Sequence, residues 1–370
     1  MFLWMAILWG GTALSAAYMY FFFVRLLRFF APLMALGPAR IAAGVLALVC
    51  AAAAYPIYYP RGIVLLFFIF SGAAAGLINL LVTRFAGGWA YLHVWSFTYR
   101  SGLAAVLLTV CIACCGCWNA THAVFRNYSL ETDKPLPGGS LRVVSLPDIH
   151  MGTAVDDKSL ADYCRRVEAL KPDLVVVPGD LFDEGTTREQ MHFACETLGA
   201  VKSKYGIYFT SGNHDLGIYG PMRGFTTAEM LAELQKSGVK DIDEQLLPMD
   251  GGFVLAGRAD YYASGGARKT TAELLNGADR SKFILLLDHQ PRDLKANAAA
   301  GADLQLSGHT HKGQLWPFGY VGRLFNEMEY GYKEIDKFQI IVSAGVGCWG
   351  FPFRTSGRSE VVVANIRSIR

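Results

Sequence analysis

The sequence predicts a two-part α/β protein, with four N-terminal transmembrane helices followed by an α/β sandwich of mixed sheets. Three observations lead there. Apolar residues make up 52% of the 370-residue chain, and nearly all of the excess lies before about residue 118. From about residue 140 onward, short β-branched runs alternate with amphipathic stretches. The length also exceeds that of one ordinary domain.

Four apolar runs, at 2–24, 41–59, 62–83 and 101–118, each approach the length of about 20 residues that crosses a bilayer as a helix. The first lacks the basic n-region and A-x-A site of a cleaved signal peptide. The runs hold essentially no ionisable residues, whereas buried helices of soluble domains usually keep a polar stripe. Transmembrane spans are therefore expected, and with them a lipid bilayer as partner. Arg25, Arg28 and Arg40 lie between the first and second runs, Arg84 and Arg100 between the third and fourth, and only Arg61 between the second and third. Positive-inside counting puts both termini, and the domain after residue 140, outside the cytoplasmic (inner) membrane. The stretch 85–99 carries Trp89, Tyr91, Trp95 and Tyr99 and reads as a loop along the membrane interface or, less simply, as a ligand-binding group of rings.

Net charge is +3, and no basic tract points to nucleic acid. Cys111, Cys114, Cys115 and Cys117 are spaced like a metal knuckle but sit in an apolar run without a second pair. Small buried hydrophobes is the first reading, with lipidation, a disulfide or a metal as alternatives. Cys164, Cys195 and Cys348 are scattered and imply no disulfide framework.

Residues 119–139, with Pro135, Pro137 and two glycines, read as a linker, and 140–370 as the second domain. LRVVSL (141–146), a helix over 158–170 and LVVVP (174–178) make a βαβ unit with parallel strands. IYFTS (207–211), FILLL (283–287) and DLQLS (303–307) continue the strands, a helix falls near 226–237, and IIVSAG and EVVVANI close the series.

The residues just past each strand are more informative. PDIHMG, GDLFD, GNHD, DHQP and GHTHKG come after five successive strands, at the carboxyl ends where α/β sheets gather ligands and catalytic groups. Five of the eight histidines (150, 214, 289, 309 and 311) fall in these clusters. A lone histidine is usually a satisfied core or surface residue; five at strand ends beside glycine or carboxylate are not. If the segments are extended, His309 and His311 share a face, as do Asp148 and His150. Asp180 can bridge two cations, and Asn213 offers a neutral oxygen. With His289 the set is mixed nitrogen and oxygen without thiolate, which suits Mn, Fe or Zn. Seven ligands with one shared fit two divalent ions, a pair that activates water and clamps both oxygens of a phosphoryl displacement.

The order D-x-H, G-D-x-x-D, G-N-H-D, H and G-H-T-H over about residues 140–370 resembles the calcineurin-like metallophosphoesterase superfamily. The resemblance implies a calcineurin-like sandwich in which Asp148, His150, Asp180 and His311 hold one metal and Asp180, Asn213, His289 and His309 the other. It implies that His214 contacts phosphate or protonates the leaving oxygen, oriented by Asp215, and that Asp183 stands behind the ligands. GNHD and the tail GVGCWGFPFRTSGRSE resemble the membrane-associated group with multi-pass N-termini, some of whose members resemble UDP-diacylglucosamine hydrolases. Pro147 departs from the usual serine and cannot donate a backbone hydrogen bond. Arg354, in a glycine-rich loop with Trp349 nearby and Trp316 in another, is a candidate to bind a second phosphate or headgroup, with salt bridging or core packing as alternatives. The expected function is a membrane-anchored dinuclear phosphoesterase or pyrophosphatase for a lipid or lipid-linked substrate. A phosphodiesterase for soluble nucleotides and a non-catalytic membrane scaffold are the competing readings.

Overall fold

The computed structural model describes residues 2–54, 60–85, 89–220 and 224–369, and it divides into two compact units, Met1–Cys115 and Gly116–Arg370. The first unit is helical: α1 (Phe2–Phe30), α2 (Leu36–Ala53), α3 (Pro60–Phe85), α4 (Trp89–Arg100) and α5 (Leu103–Thr121), the last running on into the second unit. The stretches Trp9–Phe30, Leu36–Ala53, Arg61–Phe85 and Leu103–Thr121 are long and apolar enough to cross a membrane. On α2, Ala39, Ala43, Ala47 and Ala51 are buried at four-residue spacing. Small residues in that register let neighbouring helices approach closely.

The boundaries differ from the sequence reading in places. The first span extends to Phe30 and the second begins at Leu36, five residues earlier than hydropathy alone indicates, while its expected tail at 55–59 lies outside the described residues. The expected interfacial loop is instead helix α4. Trp95 Nε1 donates to Asn79 Oδ1 at 3.1 Å, and the Arg25 guanidinium lies 4.3 Å from the Tyr99 ring centroid. The side chains of Trp89 and Tyr91 are outside the described residues. The four clustered cysteines are exposed on α5 rather than buried.

The second unit comprises β1 (Val124–Thr132), β2 (Ser140–Ser145), α6 (Asp157–Ala169), β3 (Leu174–Pro178), α7 (Arg188–Gly199), β4 (Ile207–Thr210), α8 (Thr227–Lys236), β5 (Val239–Asp241), β6 (Gln245–Pro248), β7 (Val254–Gly257), α9 (Thr271–Leu274), β8 (Ile284–Leu287), α10 (Leu294–Ala299), β9 (Leu304–Ser307), α11 (Phe318–Gly322), β10 (Gly331–Ile335), β11 (Phe338–Val342) and β12 (Glu360–Ser368). The expected 119–139 linker instead holds the end of α5 and the nine residues of β1, which pairs in parallel with β12 along its whole length.

Two six-stranded sheets form, in the orders β1-β12-β2-β3-β4-β5 and β10-β11-β9-β8-β7-β6. Strands β2 to β5 run parallel in one sheet, and β7, β8, β9 and β11 in the other. The central strands are continuous apolar runs because both faces are covered. Val143, Leu174 and Val176 meet Leu285, Leu287, Leu304 and Leu306 between the sheets. Leu160, Val167, Met191 and Leu234 bring α6, α7 and α8 onto the outer face of the first sheet, and Leu274 and Leu294 bring α9 and α10 onto the second. Capping boxes at Thr187/Gln190 and Thr226/Glu229 start α7 and α8. The resulting sandwich aims the carboxyl ends of β2, β3, β4, β8 and β9 toward one rim.

Candidate metal centre

Each strand-end loop is held by its neighbour. Asp148 N donates to Gly179 O and His150 N to Asp180 O, both at 3.0 Å, so the loops after β2 and β3 extend the ladder past the strands. Asp148, His150, Asp180, His309 and His311 all have positive φ, between 44° and 70°. Non-glycine residues rarely adopt this region, and such strain concentrates at functional sites. It also replaces the expected alternation of faces: the segments are tight turns, and His309 and His311 aim into different groups of ligands.

Those groups are Asp148, His150 and His311, and Asp180, His289 and His309; within each, one ligand atom per residue lies within 4.8 Å of the others. His150 Nε2 and His311 Nε2 are 3.1 Å apart, and His309 Nδ1 and His289 Nε2 3.2 Å. Asp180 Oδ2 lies 3.0 Å from His289 Nε2 and 3.7 Å from His150 Nε2, between the two groups. His289 Nδ1 faces Pro178 O at 3.0 Å, which makes it the donor and leaves Nε2 as the ligand atom. His214, Asp183 and His150 form a third group.

The residues present fit cations. Asp148 Oδ2 and Asn213 Oδ1 are buried without a hydrogen-bond partner, a condition that a bound ion relieves. Burial pushes Asp148 up to about 6, and Asp180 pushes the same way. Burial pushes His309 down to about 3, aided by His289, and His311 well below its ordinary value, aided by His150 and Arg354. Both shifts favour the neutral imidazole, the form that ligates metal. Glycine is needed nearby: a Cβ at Gly308 would stand 2.2 Å from Asp148 Oδ2, and one at Gly212 2.1 Å from Asp180 Oδ1.

Two expected roles change. Asp215 braces backbone, accepting from Asp180 N (2.7 Å), Gly212 N (2.9 Å) and Phe182 N (3.0 Å). The groups at His214 Nδ1 are Glu184, at 2.9 Å, and Asp183, at 3.2 Å. Burial opposes protonation of His214, but these carboxylates and Asp180 raise it to about 11. Glu184 directly follows GDLFD and was legible only as one more acidic residue. Arg354 is fully buried, so it is no surface headgroup binder. Its guanidinium donates to His311 O (2.9 Å) and Gly347 O (2.6 Å) and lies 3.3 Å from His311 Nδ1, which positions a ligand instead. Trp316 and Trp349 are 57% and 49% exposed, which excludes core packing for both. Pro147 has no N–H to donate, and its carbonyl accepts from Val346 N at 2.9 Å. Two further aromatics flank the centre: the Tyr219 ring is 4.8 Å from that of His214, and Tyr262 is 5.5 Å from His309.

The calcineurin-like phosphoesterase family model matches residues 141–313. A transmembrane protein with metallophosphoesterase domain from Danio rerio is 31% identical over 310 residues, covering 81% of this chain and 70% of that protein. An uncharacterized metallophosphoesterase of Aquifex aeolicus is 31% identical over 247 residues, covering 65% of this chain and 91% of that protein. A transmembrane protein with metallophosphoesterase domain from Bos taurus is 28% identical, covering 70% of this chain and 60% of that protein. The chain belongs to the calcineurin-like phosphoesterases, as a metal-dependent phosphoester hydrolase with apolar helices of membrane-spanning length.

Proposed function

We propose that the chain is a membrane-anchored phosphoesterase that cleaves a phosphoester or pyrophosphate bond of a lipid or lipid-linked substrate, of which a UDP-diacylglucosamine-type diphosphate is one form. The observation that carries this reading is the junction at His122 and Ala123, the only residues between α5 and β1. A catalytic domain on so short a lead stays at the bilayer surface, where proximity raises the effective concentration of membrane-borne substrate. Asp148, His150 and His311 would hold one divalent cation, Asn213, His289 and His309 the other, with Asp180 shared; the mixed donors suit Mn, Fe or Zn. Bound there, the ions supply an activated water and neutralise charge on the phosphoryl oxygens. His214, kept protonated by Asp183 and Glu184, donates from Nε2 to the leaving oxygen. By the arginine count the catalytic domain lies outside the inner membrane, which a C-terminal reporter active only on export would test.

A second reading has its own support. Tyr219 and Tyr262, 59% and 45% exposed beside the two histidines, suit a flat base, as in a soluble nucleotide. Intact protein in vesicles, supplied with manganese, should be assayed on lipid phosphates, lipid diphosphates and nucleotides. A kcat/KM about 10²-fold or more higher on a lipid is expected from the proximity argument. Turnover confined to nucleotides would replace the lipid reading with the second one.

A further inference from the structure

Beyond the His311 turn, the chain exposes apolar side chains in a continuous stretch. Trp316, Phe318, Tyr320, Val321, Leu324 and Phe325 are between 48% and 79% exposed around α11, with Arg323 among them. Domains in water rarely show such runs unless they contact something. Trp, Tyr and Arg together are the composition of the headgroup level of a bilayer, where a ring or alkyl stem reaches inward and its polar tip stays wet.

The length of α5 indicates the surface that covers this stretch. Its 19 residues, at about 1.5 Å each, barely match a hydrocarbon layer about 30 Å thick, so the helix has no residues to spare. Gly116–Thr121 therefore lies at the hydrocarbon edge. That segment is bonded into the catalytic unit: Arg354 N donates to Gly116 O, Ser359 N to Asn119 O and Ser359 Oγ to Ala120 O, each at 3.0 Å. Gly116 makes the approach possible, since a Cβ there would stand 2.3 Å from the Phe353 ring. The same strap, residues 353–359, holds the aromatic stretch. Thr355 N and Ser356 N donate to Gln314 O at 3.0 and 3.2 Å, and Trp316 N donates to Thr355 Oγ1 at 2.9 Å.

The topology gives the same side. α5 leads into the start of β1, where Val124 is opposite Glu360, and β12 runs antiparallel to β2 so that Val362 is opposite Ser145. The helix thus arrives at the carboxyl end of β2, the rim that carries the metal loops.

We infer that residues 316–325, with Trp349, dock on the headgroup layer of the bilayer that α5 crosses and seat the His311 turn at the lipid surface. Docking does not depend on the substrate being a lipid, so it can fail or hold independently of the proposed function.

The test uses full-length protein in phosphatidylethanolamine/phosphatidylglycerol nanodiscs, with photoreactive benzoylphenylalanine at Phe325, at Leu324 as an independent position, or at Lys202 as control. Phe325 and Leu324 are 78% and 79% exposed, so either replacement leaves packing intact. Lys202, with 88% of its side chain exposed, precedes β4 and so lies at the opposite end of the sheet. After irradiation, mass spectrometry should find phospholipid adducts at 324 and 325 in at least several-fold excess over those at 202. Cross-links to a second copy of the chain would overturn the inference in favour of self-association. Equal lipid labelling at all three positions, or none at any, would overturn it in favour of a stretch facing water.

Discussion

The two ligand groups of the centre differ in what lies behind and in front of them. Asp148, His150 and His311 are sealed: none is more than 3% exposed, and the buried Arg354 closes the back by holding the His311 carbonyl. The group of Asp180, His289 and His309 opens outward, with His309 partly exposed beside Tyr262 and Asn213 Nδ2 reaching the Tyr219 hydroxyl at 3.3 Å. We propose that the sealed group retains its ion and that the group with the partly exposed His309 is where substrate meets the centre. A ligand set that looks symmetrical by residue type thus divides into a holding half and a working half.

Asp180 stands between them, so Asp180→Asn should have the largest effect. Turnover should drop to background and metal content below two ions per chain, because one change removes the anion shared by both groups. Full turnover with both ions retained would mean that the halves are independent and that the shared role is wrong.

His214→Ala addresses proton transfer rather than either ligand group, since His214 stands with His150 and Asp183. Both ions should remain while kcat drops about 10²- to 10⁴-fold, the usual contribution of a positioned general acid. The loss should be smallest for esters of good leaving groups such as p-nitrophenol. An equal loss for good and poor leaving groups would limit His214 to positioning phosphate.

The mildest change sharpens the contrast from the sealed side. Lysine cannot reproduce the fork that Arg354 presents to His311 O and Gly347 O. Arg354→Lys should weaken one of the two ions about 10- to 100-fold, as losses behind a ligand commonly do, and leave the other unchanged. Competition with a graded chelator would then show two separated steps where the parent shows closer ones. Equal weakening of both ions would break the division into halves.

The ligand residues were legible because each follows a short buried strand, and strand, glycine and polar cluster are all local patterns. GDLFD and GHTHKG could be placed at strand ends without knowing how the strands pair. The geometry of the ligands was not legible in the same way. Alternation along an extended segment would have put His309 and His311 in one group, but their positive φ values turn them into two. Backbone strain of this kind is imposed by neighbouring loops, such as the Asp148 carboxylate accepting from His309 N at 2.7 Å, and leaves no mark on composition.

β1 was misread for a related reason. VFRNYSLET carries polar and charged residues and lies beside a proline-rich turn, so it reads as a linker; it becomes a strand by pairing with β12, more than two hundred residues away. Arg354 shows the same limit in a single side chain. An arginine in a glycine-rich loop suggests a surface anion site, yet this one is enclosed behind His311.

What the sequence determined by itself was therefore the class of chemistry and the apolar runs of membrane-spanning length: hydropathy and ligand type are properties of residues and short runs, and they survive without a fold. What the tertiary structure alone decided was partnership. It set which histidine shares a group with which carboxylate, moved the brace of His214 from Asp215 to Glu184 and Asp183, and bound the end of α5 to the strap that carries Arg354. Those pairings join residues far apart in the chain, whose proximity depends on sheet order and loop closure rather than on any local preference.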